Sequence, residues 1–265
     1  MDKVTVPSLR ARKGGVGAKI TALTAYDAPF ARLIDAAGID IVLVGDTVGI
    51  VVQGEETTLS VTLDQMIYHT RIVSRAIQRA LVVGDMPFLS YQVSVEETLR
   101  NAGRFFKEGG AAAVKFEGGA AVADRIEALV KYDMPVMAHI GLTPQSIHRM
   151  GGYRVQGRDH PERLLAEAKT VESAGAFSVV LEGMPTRLAA QITKSLRIPT
   201  IGIGAGPDCD GQVLVLHDLL GLSIQRPRFA RAYSNVAALA AEAFRRFKSD
   251  VESGCFPAQD EGYPS

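Results

Sequence analysis

A closed (β/α)8 TIM barrel is the fold class that this 265-residue sequence predicts. Three observations predict it. Short β-prone apolar runs alternate with helical stretches along the whole chain, a pattern that implies parallel pairing and right-handed crossovers. Eight strand-helix pairs result, which fit a ring better than an open sheet, and about 250 residues is the usual size of such a barrel. Four of the runs end in an acid: Ile41-Val42-Leu43-Val44-Gly45-Asp46, Ala80-Leu81-Val82-Val83-Gly84-Asp85, Ala112-Ala113-Val114-Lys115-Phe116-Glu117 and Phe177-Ser178-Val179-Val180-Leu181-Glu182. Strands buried on both faces read as near-continuous apolar runs, and a core strand has no structural use for a terminal carboxylate.

Taken in order, residues 5–12 read as a short amphipathic leader and Lys13-Gly14-Gly15-Val16-Gly17 as a loop. Strand one covers residues 20–25. Asp27 and Pro29 then open a helix that stops at Gly38, where glycine commonly terminates one. Strand two ends at Asp46, and the connection 47–60, with Gly49 and Gly54, is long enough to predict a role at a site. Thr62-Leu63-Asp64-Gln65 is a capping box for a helix to residue 79. Strand three ends at Asp85. Ser94-Val95-Glu96-Glu97 caps the next helix, which stops at Gly109. Strand four ends at Glu117 before a helix over 121–132, and strand five, 135–140, carries His139. The loop 141–159, with Arg149, Gly151, Gly152, Arg154 and Gly157, has the composition of a mobile lid. Pro161 opens a helix that ends at Gly175. Strand six ends at Glu182, a helix covers 185–196, and strand seven 199–203. Residues 210–220 read as helix, 222–225 as the eighth strand, and Ser234 as the cap of a last helix to residue 250.

Residues 1–265 thus read as one barrel domain with a leader and a C-terminal helix and tail. A weak internal repeat supports it: a glycine-ended helix, then a strand, then an acid, at 38–46, 109–117 and 175–182. The 29 basic and 29 acidic residues cancel, so no net field favours nucleic acid or a membrane surface. Cys209 and Cys255 form neither a CxxC pair nor a disulfide framework, which suits a reducing cytosol. No apolar run reaches the roughly 18 residues a span needs, and the start lacks a signal-peptide core. The expectation is a soluble cytoplasmic protein.

Because side chains alternate along a strand, Val42, Val44 and Asp46 are expected on one face, as are Leu81, Val83 and Asp85, Lys115 and Glu117, and Val180 and Glu182. Four acids can then meet at one rim. Asp46 and Asp85 invite a hard divalent cation, since magnesium takes one or two protein acids and keeps several waters, and Glu117 can bind directly or through water. The competing use of such acids is to cap the helices that follow. Lys115 can hold a substrate carboxylate or a developing enolate charge, or simply pair with Glu117. Glu182 is the candidate base for removing a proton beside a carbonyl, and His139 can donate a hydrogen bond to a bound oxygen. Gly202-Ile203-Gly204-Ala205-Gly206 is not a dinucleotide fingerprint, because Pro207 falls where the third glycine belongs.

The ordered motifs Leu23-Thr24-Ala25-Tyr26-Asp27, Val44-Gly45-Asp46-Thr47-Val48-Gly49, Val83-Gly84-Asp85-Met86-Pro87, Val114-Lys115-Phe116-Glu117-Gly118-Gly119, His139-Ile140-Gly141-Leu142-Thr143-Pro144-Gln145, Leu181-Glu182 and Ile201-Gly202-Ile203-Gly204-Ala205-Gly206 resemble the ketopantoate hydroxymethyltransferase family from about residue 5 to 260. The resemblance implies a barrel of the phosphoenolpyruvate/pyruvate type acting in pantothenate biosynthesis. It implies transfer of a one-carbon unit from 5,10-methylenetetrahydrofolate to 3-methyl-2-oxobutanoate through a magnesium-stabilised enolate, giving 2-dehydropantoate and tetrahydrofolate. Asp46, Asp85 and Glu117 would hold the metal, whether magnesium, manganese or cobalt. Asp46, Thr47, Asp85 and Lys115 would contact the keto acid, with His139 beside it, and Glu182 would be the base. A homo-oligomer, often a decamer, is implied too. Thr47 stands where the family usually has serine, Ala138 where glycine is common, and Gly183-Met184 where other residues are usual. A magnesium-dependent carbon-carbon lyase of the same superfamily and a non-catalytic ligand-binding barrel are the alternatives.

Overall fold

Eight short strands close into a ring: β1 (Ile20–Thr24), β2 (Ile41–Val44), β3 (Leu81–Asp85), β4 (Ala113–Glu117), β5 (Val136–Gly141), β6 (Ser178–Glu182), β7 (Thr200–Ile203) and β8 (Gly211–Leu214). Each pairs in parallel with its neighbours in sequence, and β8 returns to β1 with Ile20 opposite Gly211. The predicted fold class is the observed one. The computed structural model describes residues 2–15 and 17–263; Met1, Val16 of the predicted 13–17 loop, Pro264 and Ser265 lie outside the described residues. The described residues fall into two compact units that divide after Val215, and the ring belongs to the first.

Local sequence sets where the helices begin. Asp27 accepts the Phe30 N–H before the helix Ala28–Ala36. Thr62 and Gln65 make the full reciprocal box ahead of Leu63–Ala76, satisfying backbone donors that no helical carbonyl reaches. Ser94 accepts the Glu97 N–H before Val95–Arg104, which is half of the predicted box. The connection after β2 contains a short helix, Val48–Val51, and the loop 141–159 is also partly helical, at Pro144–Ser146 and Ile147–Met150.

The inside of the ring is filled by Ile20, Ala22, Ile41, Leu43, Leu81, Val83, Ala113, Met137, Val180, Ile201 and Val213. Val4 and Leu9 join that cluster from the leader. The helix Val6–Arg10, held by a Thr5/Ser8 capping box, therefore closes the amino-terminal mouth with apolar side chains. The other mouth stays open.

The structure corrects three sequence readings. Inward positions of β2 are Ile41 and Leu43, in register with Leu81 and Val83, so Val42 and Val44 do not share the inner face with Asp46. Asp46 reaches the mouth because the strand stops at Val44 and the chain turns there. A Cβ on Gly45 would stand 2.8 Å from Thr47 Oγ1, and glycine permits the turn. The eighth strand is Gly211–Leu214, within the stretch expected to be helix, and 222–225 forms no strand. Pairing with β1 and β7 overrides the helix-like spacing of the leucines, leaving helix only at Leu216–Leu220.

In the second unit, Asn235 caps the helix Val236–Ser253 by accepting the Ala238 N–H, displacing the expected cap Ser234 by one residue. Among the described residues no helix is long and apolar enough to cross a membrane.

Candidate active site

The predicted acids converge. Gly45, Asp46, Thr47, Asp85, Lys115, Glu117, His139 and Glu182 line a cavity of about 80 Å3 at the carboxyl ends of the strands, floored by Leu43, Val180 and Val213. Strand register explains the convergence: Asp85 lies opposite Lys115, Glu117 opposite His139, and Gly141 opposite Glu182. Gly141, at φ 101°, lets the chain turn directly over β6, since a Cβ there would stand 2.3 Å from the Glu182 carbonyl oxygen.

Lys115 Nζ is 2.9 Å from Asp85 Oδ1 and 3.3 Å from His139 Nδ1. The Asp46 backbone N–H donates to Asp85 Oδ2 at 3.3 Å. Burial, against the pull of Lys115 and with the push of Asp46, raises the Asp85 carboxyl to about 7. Burial raises Glu117 well above the ordinary carboxylate value, and Asp46 adds to the effect. Lys115 is raised as well: desolvation pulls it down, but Asp85, Asp46 and Glu117 outweigh that. It is therefore an ammonium at neutral pH. Burial, followed by Lys115, lowers His139, which keeps its ring neutral. With an ammonium at Nδ1, the partners assign the ring proton to Nε2, which lies 3.2 Å from Glu182 Oε2. Glu182 is thus linked to the other acids through His139 and Lys115. Thr47 uses its hydroxyl on Tyr26, Oγ1 to Oη at 2.7 Å, and leaves the Val48–Val51 helix without a side-chain cap.

Residues that the sequence reading left without a role also enter. Gln145 donates through Nε2 to Asp46 Oδ2 at 2.9 Å, and its backbone N–H donates to Glu117 Oε2 at 3.0 Å. Tyr91 donates to Gln145 Oε1 at 2.7 Å. Gln145 belongs to a quoted motif, but an amide has no charge to make it conspicuous. The helix-cap alternative for the acids gains no support at Asp46 or Glu117, whose carboxylates accept from Gln145 instead.

This donor set fits a hard cation. Asp46, Asp85, Glu117 and Glu182 face one ammonium in the cavity, and unbalanced carboxylates repel strongly where water is excluded. Asp85 Oδ1 is buried with Lys115 as its ion-pair partner and His139 Nε2 with Glu182, and all four side chains line the cavity. Among the described residues no group of three or more His, Cys, Asp or Glu forms a ready metal cage. Asp46 and Asp85 provide the two acids that magnesium usually takes, while Glu117 has one oxygen committed to Gln145.

Similarity to known proteins extends over the whole barrel. The family model described as ketopantoate hydroxymethyltransferase matches residues 3–259. A 3-methyl-2-oxobutanoate hydroxymethyltransferase of Pelobacter propionicus is 57% identical over 263 residues, covering 98% of this chain and 97% of the relative. That of Desulforapulum autotrophicum is 60% identical over 248 residues, covering 93% and 94%. Among solved structures, 2,3-dimethylmalate lyase, a PEP mutase/isocitrate lyase superfamily member, aligns with a TM-score of 0.61 at 20% identity, over 98% of this chain and 89% of that one. Phosphonopyruvate hydrolase in complex with oxalate and Mg++ aligns at 0.63 and 15% identity, over 97% and 93%. At such identities these two show a common barrel, whereas the family match spans nearly every residue that builds it. The chain belongs to the ketopantoate hydroxymethyltransferase family.

Proposed function

We infer that this chain is an enzyme that transfers a hydroxymethyl group from 5,10-methylenetetrahydrofolate to 3-methyl-2-oxobutanoate, forming 2-dehydropantoate and tetrahydrofolate in the first step of pantothenate synthesis. One observation carries the reading: a full-length relationship at 57–60% identity to hydroxymethyltransferases, in a chain whose mouth gathers three acids, a lysine and the histidine-held Glu182 around one cavity. The lyase alternative has no comparable support.

The roles of the residues follow from their chemistry. Asp46 and Asp85 would hold magnesium, with Glu117 beside them, and when bound the metal would supply Lewis-acid polarisation of the keto oxygen. Lys115 holds positive charge beside Asp85, within reach of a substrate carboxylate or of negative charge growing on the keto oxygen. Glu182 takes the proton from C3 of the keto acid, and the freed electron pair forms the bond to the one-carbon unit. The carbon-nitrogen bonds to folate break, water supplies the hydroxyl oxygen, and atoms and charges balance. His139 directs its Nε2–H at Glu182 and holds that carboxylate toward the cavity. Thr47, fixed by Tyr26, offers a hydroxyl to the same substrate.

The test needs no folate at first. In heavy water with magnesium and 3-methyl-2-oxobutanoate, the C3 proton signal is expected to disappear from the NMR spectrum; a signal that persists would overturn the reading. Glu182→Gln should slow this exchange by about 10^2–10^4-fold, the range of a general base, while still binding the metal. Addition of 5,10-methylenetetrahydrofolate should then yield 2-dehydropantoate, where a lyase would yield cleavage products.

A further inference from the structure

Gln145 holds two acids of the cluster, Asp46 through its side chain and Glu117 through its main-chain N–H. It is buried, at 6% exposure, in the segment that follows β5. Its Nε2 donates to Asp46 Oδ2 at 2.9 Å and to the Met86 carbonyl at 3.0 Å. Its Oε1 accepts from Tyr91 Oη at 2.7 Å and from Gln92 Nε2 at 3.3 Å. Its main-chain N–H donates to Glu117 Oε2 at 3.0 Å. Tyr91 closes the circuit by accepting the Glu117 N–H at 3.2 Å.

Those partners leave the amide one orientation. Two donors stand at Oε1 and two acceptors at Nε2, so rotating the amide by half a turn would break all four bonds. Each acid, for its part, has one oxygen tied down. Asp46 and Glu117 both line the cavity, and Glu117 Oε1 is 3.8 Å from His139 Nδ1. The same segment is anchored beside the candidate base: the Leu142 N–H donates to the Glu182 carbonyl and the Gln156 N–H to the Gly183 carbonyl, both at 2.8 Å.

We propose that Gln145 is a positioning residue: its amide, locked by Tyr91, fixes which oxygen of Asp46 faces the cation site, and its backbone fixes Glu117. This rests on the reading of those acids as a cation site given above. Outer partners that orient metal ligands typically contribute 10–100-fold in affinity or activity.

Gln145→Met keeps the volume and the backbone N–H to Glu117 while removing the amide. The metal-free protein is titrated with Mn2+ alone, followed by electron paramagnetic resonance and calorimetry, and its melting temperature is recorded beside it. The expected result is a 10–100-fold weaker Mn2+ dissociation constant in a protein still folded at the assay temperature, its melting temperature lowered because the four partners of the amide lose their hydrogen bonds. In turnover, kcat should fall at saturating keto acid more than KM rises. Tyr91→Phe should weaken Mn2+ less, and adding it to Gln145→Met should cost less than twofold more, because Tyr91 acts through the amide. Parental Mn2+ affinity in folded Gln145→Met overturns the proposal alone. A parent that binds no Mn2+ overturns the cation site and this proposal together. If Gln145→Met does not fold, Tyr91→Phe decides: parental affinity there refutes the lock.

Discussion

Carboxylates stand at both ends of the barrel, and the two ends treat them in opposite ways. Just before the strands, each acid is met by donors. Asp40 accepts from the Thr21 N–H and hydroxyl and pairs with Arg12 at 2.9 Å and Arg79 at 3.1 Å. Asp35 accepts from the N–H groups of Gln78, Arg79 and Ala80. Asp210 accepts from Thr200, Gly14 and Lys13. Burial raises Asp35 and Asp40, but their hydrogen bonds and arginines outweigh it and hold both below the ordinary value. Past the strands, Asp46, Asp85 and Glu117 face one another across a single lysine, and burial drives Asp85 and Glu117 upward. Acids supplied with donors hold the barrel together; acids supplied with each other form the proposed cation site. The same residue type thus separates stability from function by its company.

The sharpest way to break that contrast is at the amino end. Asp210→Ala leaves Lys13 beside a cavity and strips acceptors from the Thr200 N–H and hydroxyl. Losing one member of a buried pair costs about 3–5 kcal/mol, so the melting temperature should fall by roughly 10 °C. Turnover by the protein that remains folded at 20 °C should stay within twofold. If kcat collapsed while the melting temperature held, the division of labour between the ends would be wrong.

Strands β1 to β7 were legible because a buried parallel strand has an apolar signature of its own. β8 was not. Gly211-Gln212-Val213-Leu214 has little strand character, and its order comes from β1, some 190 positions earlier, and from β7. Information that lies in a distant partner is absent from a local window. The acids of the site were legible for the opposite reason: Asp46, Asp85, Glu117 and Glu182 are out of place at the ends of core strands. Their faces were less so, because alternation from Ile41 and Leu43 would carry Asp46 outward, and the turn at Gly45 brings it to the mouth instead. Gln145 and Tyr91 carry no such anomaly, and only their surroundings give them a role.

A middle-sized effect of reversed sign sharpens the comparison from the other end. Glu117→Gln keeps an oxygen for the Gln145 N–H and places an amide where a carboxylate faced Asp46. In the metal-free chain it should stabilise by about 2 kcal/mol, because a buried charge among like charges is removed. Activity should fall tenfold or more. Calorimetry with chelator present reads the first and product formation the second; a destabilised variant would place Glu117 with the structural acids.

The smallest expected effect is in the pH dependence of the metal-free chain, where both ends write opposite slopes. Asp85, at about 7 when folded against about 4 when unfolded, and Glu117, also raised, make the native state hold more protons than the unfolded one. Stability must then fall as pH rises through that interval. His139 opposes them, because its lowered value makes the native state hold fewer protons below about 6.5. Two acids outnumber one imidazole up to that point and act alone beyond it, so the net slope stays negative from about pH 5 to 7. Asp35 and Asp40 have lowered values, so their stabilisation is complete above about pH 4 and is lost only as pH falls through the folded value. Melting curves at each pH should therefore rise from pH 3 to a maximum near 4 to 5 and then decline. Saturating magnesium should flatten the decline and leave the acid limb untouched, since the cation supplies to one end what arginines already supply to the other. A decline that survives magnesium would detach Asp85 and Glu117 from the cation site.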